Sequence, residues 1–270
     1  MRIPSNLRYE LIKKAVKNGM KVLTYDTETS HMIVRTFYIG NKVSIQHRQV
    51  KVPNKVITIQ YKWMHEKKAK YLSWDKTNDK YDDSRNFDDS EMIREFNDTV
   101  LSKADIVITQ NGDKFDFIVL NERAKALQIG SLDNKPSIDI LKLSRKSFRA
   151  ASHKLDYRSE QQGLGGKLRM VDDDWGDVEE RNVPVEKKMV PYGLKDTTDT
   201  EKLCMKELPY YKDLPVNVEK VILSFVNNMS FSVRYCQNCR DKHRPSRDIK
   251  TIDGKPECQS CMSSKYIKVK

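Results

Sequence analysis

A chain of 270 residues can bury one sizeable core with at most a small appendage, which leaves no room for a second large domain. Its formal net charge of +12 points to a polyanionic partner, and no run nears the roughly 18 consecutive apolar residues that would place it in a membrane. The amino terminus lacks the apolar core of a secretory signal and four of the five cysteines crowd into the last quarter, so a cytoplasmic protein without a distributed disulfide framework is expected.

The chain opens with helical spacing from Leu7 through Ile12, Ala15 and Val16, with Ser5 before it and Gly19 as a stop. A strand follows from Lys21 to Glu28. Met32 to Ile39, Val56 to Trp63 and Lys70 to Trp74 are rich in β-branched and aromatic residues and read as two or three neighbouring antiparallel strands. Residues 75 to 89 are polar and read as an exposed loop. A helix begins near Ser90, with Met92, Ile93, Phe96, Val100 and Leu101 on one face. Ile106 to Thr109 is a short strand, Phe117 to Leu127 a helix, and Ile138 sits in another short strand. Helical patterns then cover Leu141 to Phe148, Ser152 to Gln162 and Tyr192 to Leu208. Between Gly163 and Val190 regular periodicity fades; Gly163-Leu164-Gly165-Gly166-Lys167 reads as a flexible loop that could touch a substrate backbone, and Asp172, Asp173 and Asp174 read as a solvated face. Pro209 and Pro215 flank a turn before a connecting helix around Val218, Val221, Ile222 and Phe225. Strands first, then alternating strand and helix, imply an α/β fold: a mixed sheet flanked by helices.

Three acidic elements stand out. Asp26 and Glu28 are one residue apart on an apolar strand, so both side chains project from one face at its end, a geometry suited to divalent metal. Asn111-Gly112 leads to Phe115-Asp116 at a strand-to-helix turn. Tyr192 and Asp196 are four apart and share a helix face. Asp113 competes with Asp116, and Asp199 with Asp196. Each element alone has an ordinary reading, as exposed side chains, a helix-start aspartate or a surface pair. Together, in this order, they point to phosphoryl-transfer chemistry on a nucleic acid.

These residues resemble the DEDD exonucleases of the ribonuclease H-like superfamily, in the tyrosine-bearing branch that includes DnaQ-like enzymes and the proofreading domains of family B polymerases. The resemblance covers roughly residues 20 to 212. Ile138 to Leu143, Lys154-Leu155-Asp156-Tyr157 running to Gly165-Gly166-Lys167, and Leu208-Pro209-Tyr210 support it and look like standalone phage or bacterial enzymes. Gly193 and Thr197 depart from it, standing where the family carries larger apolar residues. The resemblance implies a ribonuclease H-like fold and two Mg2+ or Mn2+ ions, with Asp26 bridging, Glu28 and Asp196 completing one site and Asp116 supporting the second. It implies that Tyr192 orients the attacking water, since at an unperturbed pKa of about 10 it is a poor base. Hydrolysis from a 3′ end to nucleoside 5′-monophosphates follows, in a bacterial or phage-infected cytoplasm, with any polymerase or replication partner acting in trans. The histidine branch carries its His five residues before the third-motif Asp; position 191 is Pro here, so His153 is given no catalytic role.

Cys236 and Cys239, then Cys258 and Cys261, form two C-x2-C pairs separated by eighteen residues, the spacing of a structural zinc site with four thiolates. His243 is an alternative ligand and intramolecular disulfides an alternative chemistry. Arg240, Lys242, Arg244 and Arg247 lie around this zinc ribbon and, with Lys167 in the core, are candidate contacts to nucleic acid. The expected organisation is a core over residues 1–212, a connecting helix over 213–230 and the ribbon over 231–270. The expected activity is 3′–5′ exonuclease action on nucleic acid, with single-stranded DNA or 3′ ends as substrate. The rivals are a non-catalytic binding or regulatory protein on a nuclease-like core, and a structure-selective endonuclease.

Overall fold

The computed structural model describes residues 2–37, 40, 44–74, 88–166, 168–180 and 182–227, and the backbone of 249–252 and 255–258. It divides into two compact units, Met1–Leu223 and Ser224–Lys270.

The first unit is built on a five-stranded sheet: β1 (Val22–Thr29), β4 (Val56–Trp63), β5 (Lys70–Ser73), β6 (Ile106–Thr109) and β7 (Ser137–Asp139), in the order β5-β4-β1-β6-β7. β4 runs antiparallel to β1 and β5, whereas β6 and β7 run parallel to β1. This is the mixed sheet of a ribonuclease H-like fold. The helices are α1 (Arg8–Lys17), α2 (Ser90–Glu95), α3 (Asp116–Ala126), α4 (Ile140–Ser147), α5 (Leu155–Gln161), α6 (Asp172–Glu179), α7 (Met189–Glu207) and α8 (Val216–Asn227). Among the described residues no helix is long and apolar enough to cross a membrane.

Period-two alternation gives the sheet two unlike faces. Leu23, Tyr25, Ile59 and Trp63 join a dry cluster with Met92, Ile93 and Phe96 from α2 and the π-helical turn after it, and with Leu120 and Ala124 of α3. The register Thr24↔Lys62, Asp26↔Gln60 and Glu28↔Thr58 lines the other face with polar residues, and α7 packs there. Thr24, Thr58 and Gln60 are wholly buried, and Lys62 forms a buried ion pair with Glu201 of α7 at 2.7 Å.

Three local expectations are corrected. Among the described residues of the strand expected at Met32 to Ile39, only Ile33–Val34 (β2) is strand, and it pairs with Val50–Val52 (β3) outside the main sheet. Asp89, expected in an exposed loop, is fully buried, accepting from the Val56 amide at 2.9 Å and from Arg123 Nε at 2.9 Å. The stretch after Gly163, where the sequence predicts no regular element, contains α6. Its three aspartates occupy the first helical turn, where they favour the helix dipole, and Asp174 accepts from the Val171 amide at 3.0 Å. Val178 on its far turn is buried with Ile57, Trp74, Met189 and Val190.

In the second unit β8 (Ile249–Ile252) and β9 (Lys255–Cys258) form an antiparallel pair that ends at Ile249↔Cys258. The side chains of Cys236, Cys239, Cys258, Cys261, Arg240, Lys242, Arg244 and Arg247 lie outside the described residues, as does Lys167.

Candidate active site

Asp26, Glu28, Asp116, Tyr192 and Asp196 line one cleft of about 420 Å³, together with Thr27, Gln110, Phe115, Lys154, Leu155 and Asp156. The cleft opens beyond the carboxyl end of β1, where mixed α/β sheets commonly place ligands. The competing carboxylates are elsewhere. Asp113 pairs with Lys142 at 3.3 Å, and Asp199 is an ion-pair partner of Lys195.

Each element has a physical reason to be there. β1 pairs with β6 only over Val22 to Thr24 and so runs on past it. The Thr27 amide on that extension donates to Asp116 Oδ1 at 2.9 Å, and the Thr27 hydroxyl donates to the same oxygen at 2.7 Å. Asp116 thereby joins β1 to the first turn of α3. The register of β1 shifts between Glu28 and Thr29, an irregularity that re-aims side chains at a strand's end.

The turn between β6 and α3 demands its Asn-Gly pair. Asn111 has φ 72°, a conformation Asn tolerates. A Cβ on Gly112 would lie 2.5 Å from the Thr109 side chain. Asp139 then fixes this turn: its carboxylate accepts from the amides of Asn111 at 3.1 Å and Asp113 at 3.3 Å, and caps α4 through Leu141 at 3.0 Å and Lys142 at 3.1 Å. In the sequence, the one sign of this role of Asp139 is its place just before an apolar helical run, a capping signal.

Gly193 places the third element. A Cβ there would sit 2.3 Å from Cδ of Gln60, so the missing side chain lets α7 lie directly on β4 and brings Tyr192 and Asp196 over the end of β1. Close approach of α7 to Gln60 requires the small residue at 193. Thr197, one turn on, is wholly buried.

A buried network supports the cleft from behind. Arg158 of α5 donates through Nε to Glu207 Oε1 at 3.2 Å, through Nη2 to the other Glu207 oxygen and to the Tyr211 hydroxyl, and through Nη1 to Gln110 Oε1 at 3.2 Å. Gln110 Nε2 donates to the carbonyl of His153 at 3.3 Å, and the His153 ring bonds the Ser144 hydroxyl through Nδ1 at 2.7 Å. Cys204 is fully buried, and desolvation pushes its thiol far above its ordinary value.

Burial also pushes the Asp116 carboxyl up, to about 6, against the opposing pull of the two Thr27 hydrogen bonds. Among the described residues, no three His, Cys, Asp or Glu side chains are grouped closely enough to form a ready ion cage. The donor set nevertheless fits hard divalent cations: Asp26, Glu28, Asp116 and Asp196 are four of the five carboxylates on the cleft, three of them largely buried and one raised in pKa by lack of solvent. A bound cation would offset the mutual repulsion of these carboxylates.

The sequence profile described as DNA polymerase family B, exonuclease domain, matches residues 11–162. The chain belongs to this exonuclease-domain family. A search of curated proteins returns no match. Membership gives the fold nuclease chemistry on a nucleic-acid substrate, in a family whose exonuclease domains use divalent metals. The match takes in Asp26, Glu28, Asp116 and Lys154 but stops short of α6, Tyr192 and Asp196.

Proposed function

We propose that the protein is a two-metal-ion 3′–5′ exonuclease that hydrolyses single-stranded DNA ends to nucleoside 5′-monophosphates. The observation that carries this reading is the meeting of Asp26, Glu28, Asp116, Tyr192 and Asp196, from three separate elements, on one cleft. Asp26, Glu28 and Asp196 would hold one Mg2+ or Mn2+ and Asp116, with Asp26, the other. Cations so held would supply neutralisation of the phosphodiester charge and of the departing 3′-oxygen.

The protein's own groups do the rest. Tyr192 orients a water by hydrogen bonding for attack on phosphorus. The water oxygen forms the new P–O bond, the P–O3′ bond breaks, and the proton passes to the leaving 3′-oxygen. Lys154 offers its ammonium to a non-bridging phosphate oxygen at the same cleft. Phe115, 43% exposed at the cleft, offers a ring on which the terminal base stacks. Entry of an unpaired terminus suits a cleft of this size. Residues 1–212 are the catalytic core, 213–230 the connecting helix and 231–270 a structural zinc ribbon, held by Cys236, Cys239, Cys258 and Cys261. Arg240, Lys242, Arg244 and Arg247 on the ribbon and Lys167 on the core grip the strand.

The test is digestion of a 5′-labelled single-stranded oligonucleotide, DNA and RNA in parallel, with Mg2+ or Mn2+. Wild type is expected to give a ladder shortening from the 3′ end and free monophosphates, and Asp26→Ala to lose at least about 10²-fold in rate. Binding without hydrolysis under either cation would favour the binding protein, and cuts in circular single strands the endonuclease.

A further inference from the structure

α6 lies beyond the part of the chain that the exonuclease profile matches, yet it reaches the third acidic element. The Trp175 ring stands edge-on to the Tyr192 ring, with centroids 5.8 Å apart and planes at 78°. An edge-to-face pair restricts the rotation and tilt of both rings. Tyr192 is among the residues that line the cleft and Trp175 is not.

Independent contacts hold α6 against the core. Val178 is buried among Ile57 of β4 and Met189 and Val190 at the start of α7, and Trp175 packs on the same cluster. Lys188, immediately before α7, bridges Asp174 at 2.5 Å and Asp177 at 3.1 Å. At the far end, the His31 amide donates to Glu179 Oε1 at 2.7 Å, and His31 Nδ1 lies 3.0 Å from the same oxygen. His31 follows β1, so α6 ties the strand that carries Asp26 and Glu28 to the helix that carries Tyr192 and Asp196.

We propose that α6 is a brace for the catalytic tyrosine, with Trp175 as a positioning residue that sets the angle of the Tyr192 ring over the cleft. The proposal rests on the role of Tyr192 given under Proposed function. A brace of this kind acts on the orientation of the water rather than on substrate affinity. Loss of the Trp175 ring therefore lowers kcat and leaves KM nearly unchanged.

The experiment combines kinetics with a signal that needs no activity. On a single-stranded oligonucleotide with Mg2+, Trp175→Leu is expected to lower kcat about tenfold with KM within about twofold, and Trp175→Phe to restore most of the loss. Lys188→Met, which loosens α6 without removing the ring, is expected to give a smaller loss. In a Tyr192→Phe background, which removes the hydroxyl that the brace serves, Trp175→Leu should add no further loss. In parallel, full-length protein is labelled with 3-fluorotyrosine, and the Tyr192 resonance is assigned by its disappearance in Tyr192→Phe. That resonance should shift in Trp175→Leu and shift less in Trp175→Phe. Losses that multiply in the double variant, or an unmoved fluorine resonance, would overturn the brace. If wild-type protein hydrolyses nothing, the exonuclease reading fails, and the resonance alone decides whether Trp175 sets the ring.

Discussion

The two faces of the five-stranded sheet do different work. One is dry, with Leu23, Tyr25, Ile59 and Trp63 sealed under α2 and α3; the other is equally buried but polar, with Thr24, Thr58, Gln60 and Lys62 under α7. Both belong to the same two strands, and alternation alone separates them. The dry face fixes the strands, while the polar face leads directly into the cleft through Asp26 and Glu28. Rigidity is thus supplied from the side on which no chemistry is placed. A buried polar face is costly unless its groups are paired, and Gln60 Oε1, Thr24 Oγ1 and Thr197 Oγ1 have no hydrogen-bond partner among the described residues.

Substitutions on each face sharpen the contrast. The largest effect on stability is expected on the dry side: Ile59→Ala, in a wholly buried cluster, should lower unfolding free energy by about 2–5 kcal/mol in denaturant titrations while kcat of the folded protein changes little. On the polar side, Gly193→Ala forces a methyl group against Gln60, whose amide is buried and donates to the Thr58 hydroxyl at 2.6 Å. Displacing it should cost about 1–3 kcal/mol, and because α7 must lift, activity should fall further than stability does. Equal activity losses in the two variants would remove the distinction between the faces.

A third effect has the opposite sign. Folding raises the Asp116 carboxyl from 3.8 to about 6, so between about pH 4 and pH 6 the folded chain binds more protons than the unfolded one. Cation-free stability should therefore decline as pH rises through that window. Asp116→Asn keeps an oxygen for Thr27 and cannot ionise. In the absence of divalent ions, it should gain about 1–3 kcal/mol at pH 7, lose that advantage near pH 4, and be inactive throughout. A variant less stable than wild type at pH 7 would mean that burial does not dominate at this carboxyl.

What the sequence reveals of this fold follows from how local each cause is. β1, β4 and β6 are legible because burial on one or both faces writes itself into successive residues, and α4 and α7 because their apolar positions recur at helical spacing. α6 is not, since its helix is set by an acidic first turn and a single buried Val178, with Lys188 and His31 supplying the docking from outside the segment. Asp89 looks like loop chemistry until Arg123, thirty-four residues on, is beside it. The acidic motifs are readable as motifs, but the reasons for Gly193, Asp139 and the Arg158–Glu207 pair lie in partners that only the fold brings close. The cysteine pairs are the reverse case, with a spacing that speaks clearly and side chains outside the described residues.

The central claim is that carboxylates from β1, α3 and α7 together hold divalent cations, and Mn2+ binding followed by calorimetry tests it most directly. Wild-type protein, its thiolates saturated with zinc, is expected to bind two Mn2+ per chain, with both sites lost in Asp26→Asn and one retained in Asp116→Asn. Mn2+ binding of the same stoichiometry and affinity in all three proteins would contradict the account.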